Sequence, residues 1–167
     1  FHCMKLILFT SEGKWSPDDP KIVQLITRFI KEGHLEHDCH LHVRPHFCWK
    51  KYLDPLFELQ ENGLVSVDTD WNKSDIFPDN WDPSFKDMMH LANSIKYSDL
   101  VITSPSTIVL DASYFNKPII NIGFDMSKSK GNSSRLALLY ETEYYKKVME
   151  YDATEYVTNA DQLLIKI

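Results

Sequence analysis

Leu100-Val101-Ile102-Thr103-Ser104-Pro105-Ser106-Thr107-Ile108-Val109-Leu110-Asp111-Ala112 runs from a short apolar segment through a Ser/Pro/Thr turn into a stretch that reads as a helix over 107–115. A second apolar run, 118–123, follows Asn116-Lys117. Four to six apolar residues, a helix, then four to six more is the pattern of a βαβ unit, whose crossover returns the second strand parallel to the first. The rest of the chain repeats it. Upstream, strands are expected at 4–10, at 39–44 where Pro45 stops the run, and at 64–67. Apolar residues at Ile22, Leu25, Ile26, Phe29 and Ile30 mark one buried helical face, with Gly33 placed to end it. Further helices are expected over about 47–59, from Pro83 or Ser84 to Ile95, as one helix over 135–150, and over 160–167, with a short strand at Tyr156-Val157. The sum is an α/β chain: a Rossmann-like parallel sheet of five or six strands with helices on both faces, in one domain covering 1–167.

Composition narrows the partners. Lys and Arg number 18 against 24 Asp and Glu, for a net charge of −6, so the chain as a whole does not attract nucleic acid. The longest apolar runs, 100–103 and 119–122, fall far short of the roughly 20 residues that a membrane-spanning helix needs. Three cysteines (Cys3, Cys39, Cys48) are too few and too uneven for a disulfide framework, which points to a reducing compartment. The chain opens on Phe1 and closes inside an apolar pattern at 163–167, so it is expected to be a piece of a longer protein.

Ligands of an open parallel sheet bind outside the carboxyl ends of its strands. The residues at those ends are Ser11-Glu12-Gly13-Lys14, Arg44-Pro45-His46, Asp68, Ser104-Pro105-Ser106-Thr107 and Gly123-Phe124-Asp125. Ser106 or Thr107 is suited to cap the following helix, and hydroxyls beside a helix start also suit a phosphate. Arg44 carries a planar fork of donors for phosphate oxygens, and His46 a donor whose charge follows its surroundings. Asp111, one turn into the helix, is placed to accept hydrogen bonds from ribose hydroxyls. His40 and His42 alternate on one strand face with Arg44 in the same row, a cation that opposes a metal there; no metal is expected. Asp68, Asp70 and Asp75 read as the hydration of an exposed loop over 68–83, and 128–135 as a basic loop that is either simply solvated or able to close over an anion. Neither a Walker A pattern nor Gly-x-Gly-x-x-Gly occurs, which disfavours P-loop NTPases and ordinary NAD dehydrogenases.

From Asp87 to Asp125 the chain shows a helix leading into Ser98-Asp99-Leu100-Val101-Ile102, the Ser/Thr turn, Asp111-Ala112 and then Lys117-Pro118-Ile119-Ile120. This resembles the carboxyl-terminal half of GT-B glycosyltransferases, in particular bacterial capsule and surface-polysaccharide enzymes and CDP-glycerol glycerophosphotransferases. Arg44-Pro45-His46 is similar to the group's His-Pro motif, and Asp111 stands where the group usually has Glu. The resemblance implies a donor-nucleotide-binding lobe: Ser104, Ser106 and Thr107 on the donor phosphates, Asp111 on the ribose, Arg44 and His46 neutralising the leaving nucleotide. It implies no cofactor and no metal, a nucleotide-sugar or CDP-activated donor as substrate, a glycan or lipid-linked acceptor, and a separate amino-terminal lobe that carries the catalytic base. Within this chain only Glu12 is a candidate for that base.

The expected function is therefore the donor half of a glycosyltransferase or glycerophosphotransferase in surface-polysaccharide synthesis. The expected location is cytoplasmic, at the membrane's inner face without a transmembrane segment, and this half alone is not expected to complete the reaction. Two alternatives stand beside it. A sugar-nucleotide epimerase half would call for a Ser-Gly-Gly type of turn, where this chain has Ser-Pro-Ser-Thr. A non-catalytic, partner-docking module would bind no nucleotide.

Overall fold

The computed structural model describes residues 4–35, 38–46, 50–61, 63–68, 83–127 and 135–167. Strands β1 (Lys5–Thr10), β2 (Cys39–Arg44), β3 (Val65–Val67), β4 (Leu100–Thr103), β5 (Ile119–Ile122) and β6 (Glu155–Val157) form one sheet in the order β3-β2-β1-β4-β5-β6. All five strand pairs are parallel. The helices are α1 (Asp19–Lys31), α2 (Lys50–Phe57), α3 (Phe85–Tyr97), α4 (Ile108–Tyr114), α5 (Arg135–Tyr140), α6 (Glu143–Glu150) and α7 (Ala160–Lys166). The expected fold class is thus the observed one, with six strands.

Alternation along the strands splits the core in two. Ile7, Phe9, Leu41, Val43, Val65, Ile102, Ile120 and Ile122 face one side, where Ile22, Ile26 and Phe29 of α1, Leu56 of α2 and Leu163 of α7 cover them. Leu8, Val101 and Ile119 face the other side, against Ile95 of α3 and Ile108, Val109 and Ala112 of α4. Helix α1 ends at Gly33, whose φ of +70° is the left-handed conformation that glycine adopts without steric cost. Helix α3 begins with a capping box: the Asp87 N–H donates to the Ser84 hydroxyl, and the Asp87 carboxylate accepts from the Ser84 N–H at 2.7 Å.

One expected element divides. The helix read over 135–150 is two, α5 and α6, because Thr142 adopts an extended backbone and its hydroxyl accepts from the Tyr145 N–H at 3.5 Å, starting a new helix. The apolar period continues across the break, so periodicity alone runs the two together. Loops 69–82 and 128–134, and with them Asp70, Asp75 and the basic run, lie outside the described residues.

The second face of the sheet changes character toward the carboxyl end. Register places Arg44 beside Thr10, Thr10 beside Thr103, Thr103 beside Asn121, and Asn121 beside Tyr156. Asp68 follows β3 next to this row, its N–H donating to the Val43 carbonyl at 2.8 Å. The row is polar and stands on the face opposite Phe9 and Ile102, just beyond the apolar layer of Leu8, Val101 and Ile119. The Thr10 hydroxyl donates to Thr103 Oγ1 at 2.7 Å, and the Thr103 hydroxyl to the Ser104 carbonyl at 2.8 Å. Strand order reverses between β1 and β4, and that crevice is where a doubly wound sheet holds its ligand.

Candidate functional site

A cavity of about 680 Å³ opens over this crevice. It is lined by Thr10, Ser11 and Glu12 after β1, by Arg44, Pro45 and His46 after β2, and by Pro105, Ser106, Thr107, Ile108 and Asp111 around the start of α4. Six of the seven residues singled out from the sequence, Glu12, Arg44, His46, Ser106, Thr107 and Asp111, therefore share one cavity. Ser104 does not. It is fully buried, with its hydroxyl 3.1 Å from both Ser16 Oγ and Asp19 Oδ1, so it serves the scaffold beneath the site. The expected cap is also modified. Thr107 occupies the N-cap position with helical backbone and no side-chain cap bond, while the Ile108 N–H points at Ser106 Oγ from 3.4 Å.

Arg44 is only 9% exposed and ion-paired to Asp68, which is 4% exposed. Asp68 Oδ2 also meets His90 Nε2 of α3 at 3.0 Å. The reading of Asp68 as a hydrated loop residue is thus overturned, for it is a buried counter-ion joining the ends of β2 and β3 to α3. Burial pulls the Arg44 guanidinium down and Asp68 holds it up. Arg44 is oriented and partly neutralised before any ligand arrives. His40 Nε2 and His42 Nδ1 both meet Ser66 Oγ, at 2.8 and 2.9 Å. Among the described residues, no group of three or more His, Cys, Asp or Glu side chains is arranged to hold a metal ion.

Beneath the β1 rim lies a polar knot. Asp19, at the first position of α1, is 1% exposed. It accepts from the Glu12 N–H at 2.8 Å and from the Ser16 hydroxyl at 2.5 Å. Burial pushes its carboxyl up to about 6 in spite of these bonds. Glu12 sits above it, partly buried. Burial raises the Glu12 carboxyl to about 7, opposed by a hydrogen bond from the Ser106 hydroxyl and reinforced by the charge of Asp19. Asp111 is raised as well, by burial.

The remaining wall was not anticipated. Trp15 comes from the turn after Glu12, Met88 and Leu91 from α3, and Thr142, Tyr144 and Tyr145 from the start of α6. The Tyr145 hydroxyl donates to the Ser106 carbonyl at 2.5 Å, and the Tyr140 hydroxyl to the Ile122 carbonyl at 2.9 Å. Their rings pack edge-on at 5.1 Å. Two buried tyrosines thus tie α5 and α6 to the ends of β4 and β5. In the sequence, Thr142 followed by Glu143-Tyr144-Tyr145 carried the signal of a helix start, which nothing local connects to a turn some forty residues earlier.

No protein-family model matches the sequence, and no curated protein matches it. Solved structures do. A putative UDP-N-acetylglucosamine 2-epimerase from Listeria monocytogenes aligns with a TM-score of 0.59 at 14% identity, over 96% of this chain and 35% of that one. S. aureus MnaA with UDP gives 0.57 at 17%, over 98% and 35%. The solution structure of ALG13 gives 0.52 at 17%, over 97% of this chain and 83% of that one. This chain spans about a third of the length of the first two. What these similarities show is the fold, one half of a GT-B architecture.

Proposed function

We propose that this chain is the half of a GT-B transferase that binds a nucleotide-activated donor, for transfer to a glycan or lipid-linked acceptor in surface-polysaccharide synthesis. The observation that carries the reading is the convergence of Glu12, Arg44, His46, Ser106, Thr107 and Asp111 on a single cavity at the switch point of the sheet. Arg44 and His46 would face the donor's phosphates from β2, with Ser106 and Thr107 opposite, and Asp111 would take the ribose. Trp15 and Tyr144 offer aromatic faces to the base or the sugar. MnaA, a protein of the same fold, was solved with UDP, which supports a pyrimidine nucleotide as the first to try. Phosphate charge would be balanced by side chains, without a metal. The acceptor and a base for its activation would come from a second lobe, in keeping with the share of the epimerase and MnaA chains that this one matches. Among the described residues no helix is long and apolar enough to cross a membrane; the proposed location is the cytoplasm, at the membrane's inner face.

Calorimetric titration with UDP, CDP, CMP, GDP and NAD in the absence of metal tests this. The expected result is saturable binding of one pyrimidine nucleotide, weakened at least tenfold by Ser106→Ala. No binding by any of the five, or binding indifferent to Ser106→Ala, would overturn the reading. An epimerase half of the same architecture is separated by the fate of a bound nucleotide sugar, which is inverted at one carbon instead of being consumed with an acceptor.

A further inference from the structure

The described lining of this cavity is poorly charged for the ligand proposed for it. Among the described residues its lining holds one fixed cation, Arg44, already ion-paired to Asp68, and one imidazole, His46. Against these stand the carboxyls of Glu12 and Asp111, with Asp19 directly below Glu12. With every carboxyl ionised, these described groups together would repel a diphosphate. Glu12 is where this balance can change. Its backbone is fixed by the N–H bond to Asp19, its carboxyl meets the Ser106 hydroxyl, and it opens onto the cavity.

The groups facing Glu12 come from each neighbouring element. Asp19 lies on α1, Ser106 before α4, Tyr140 on α5, Tyr145 on α6, and Arg44 and His46 across the cavity from β2. Among the described residues none forms an ion pair with Glu12. Lys14, two positions on, holds its Nζ 5.3 Å from the centre of the Trp15 ring. A carboxyl so enclosed, next to another carboxyl and with no ion pair among the described residues, favours its neutral form.

We propose that Glu12 is the ligand-selecting residue of this cavity, holding a phosphate-bearing ligand only as the neutral acid, whose O–H donates to a phosphoryl oxygen. The inference rests on the donor-site reading above. Binding to the ionised protein then takes up one proton, which stays on Glu12 in the complex. The residue discriminates against anionic ligands as the pH rises and leaves neutral nucleosides unaffected.

The test is calorimetry of the intact chain with UDP-glucose, whose diphosphate diester does not itself titrate between pH 6 and 8.5, beside uridine as the neutral control. In the wild type, affinity for UDP-glucose should be nearly constant below about pH 6.5 and fall about tenfold per pH unit above about pH 7.5. At pH 8 and above, the binding enthalpy should shift with the buffer's ionisation enthalpy by an amount equal to nearly one proton taken up, and below about pH 6 by almost none. Glu12→Gln keeps a donor with no charge, so its affinity should vary less than about twofold over the same range and exceed that of the wild type at pH 8.5. A flat wild-type profile, or an unchanged slope in Glu12→Gln, would overturn the inference while leaving the donor site standing. So would a slope that His46→Gln removes instead. Failure of both proteins to bind UDP-glucose at any pH would overturn the donor-site reading itself.

Discussion

Replacing Glu12 by Gln should make the unliganded protein more stable at pH 8 and leave it nearly unchanged at pH 4. An unfolded glutamate ionises near 4.5, whereas burial and Asp19 hold the folded one at about 7. Between these values the native state binds more protons than the unfolded one, so stability falls as pH rises through the window and stays at the lower level above it. A rise from 4.5 to about 7, at about 1.4 kcal/mol per pH unit, comes to about 3 kcal/mol. Water reaching the partly exposed carboxyl reduces this to about 2 kcal/mol. Gln has the shape of the neutral acid and no ionisation. Urea unfolding of both proteins from pH 4 to 8 should therefore give curves that coincide at the acid end and separate by about 2 kcal/mol by pH 8, with the m-value unchanged. The comparison cancels the titrating groups that do not touch Glu12, such as Asp18 and Asp99, which are held low by their partners. A separation that varies by less than about 0.5 kcal/mol across the range would refute the argument. If the separation is present, an ionised carboxylate is being kept at the rim at a cost in stability, as expected where a residue serves binding more than folding.

Two further substitutions probe the frame around the site. Asp68→Ala leaves the Arg44 guanidinium buried without its counter-ion and should cost about 3–5 kcal/mol in urea unfolding at pH 7; a loss below about 1 kcal/mol would mean that solvent reaches Arg44. Gly123→Ala would set a Cβ 2.2 Å from Cζ of Tyr156, whose ring packs at 4.7 Å on Tyr140. It should cost about 1–3 kcal/mol, and Tyr156→Leu in the same chain should recover most of that in thermal melts; an equal loss in the double variant would place the strain in the backbone instead.

How far the sequence could be read depended on how local each signal was. Strand β2 ends at Arg44 as expected because Pro45 stops it, and β4 ends at Thr103 as expected because Ser104-Pro105 follows. The convergence of the rim residues followed from topology alone: once the strands are parallel, all their carboxyl ends lie together. What depended on pairing across the sheet was hidden. Asp68 looks like the first residue of an acidic loop, and only the β2–β3 register shows it beside Arg44. Ser104 has the composition of a ligand-binding residue, but its hydroxyl turns inward to Asp19, some 85 positions away. Trp15, Tyr144 and Tyr145 lie in a turn and at a helix start, whose place in space is set by tertiary packing. The division of α5 from α6 was concealed by an apolar period that continues through Thr142.

The two tyrosine hydroxyls that moor α5 and α6 end on main-chain carbonyls, those of Ile122 and Ser106. Every amino acid supplies such a carbonyl, so the side chain at 106 can be exchanged without releasing the wall above it. The chemistry of the turn and the placement of the wall are thus separable: a substitution at 106 can change what the turn offers while α6 keeps delivering Thr142, Tyr144 and Tyr145 to the same spot. The converse also holds. A change at Tyr145 would release α6 from the Ser106 carbonyl whatever side chain stands at 106.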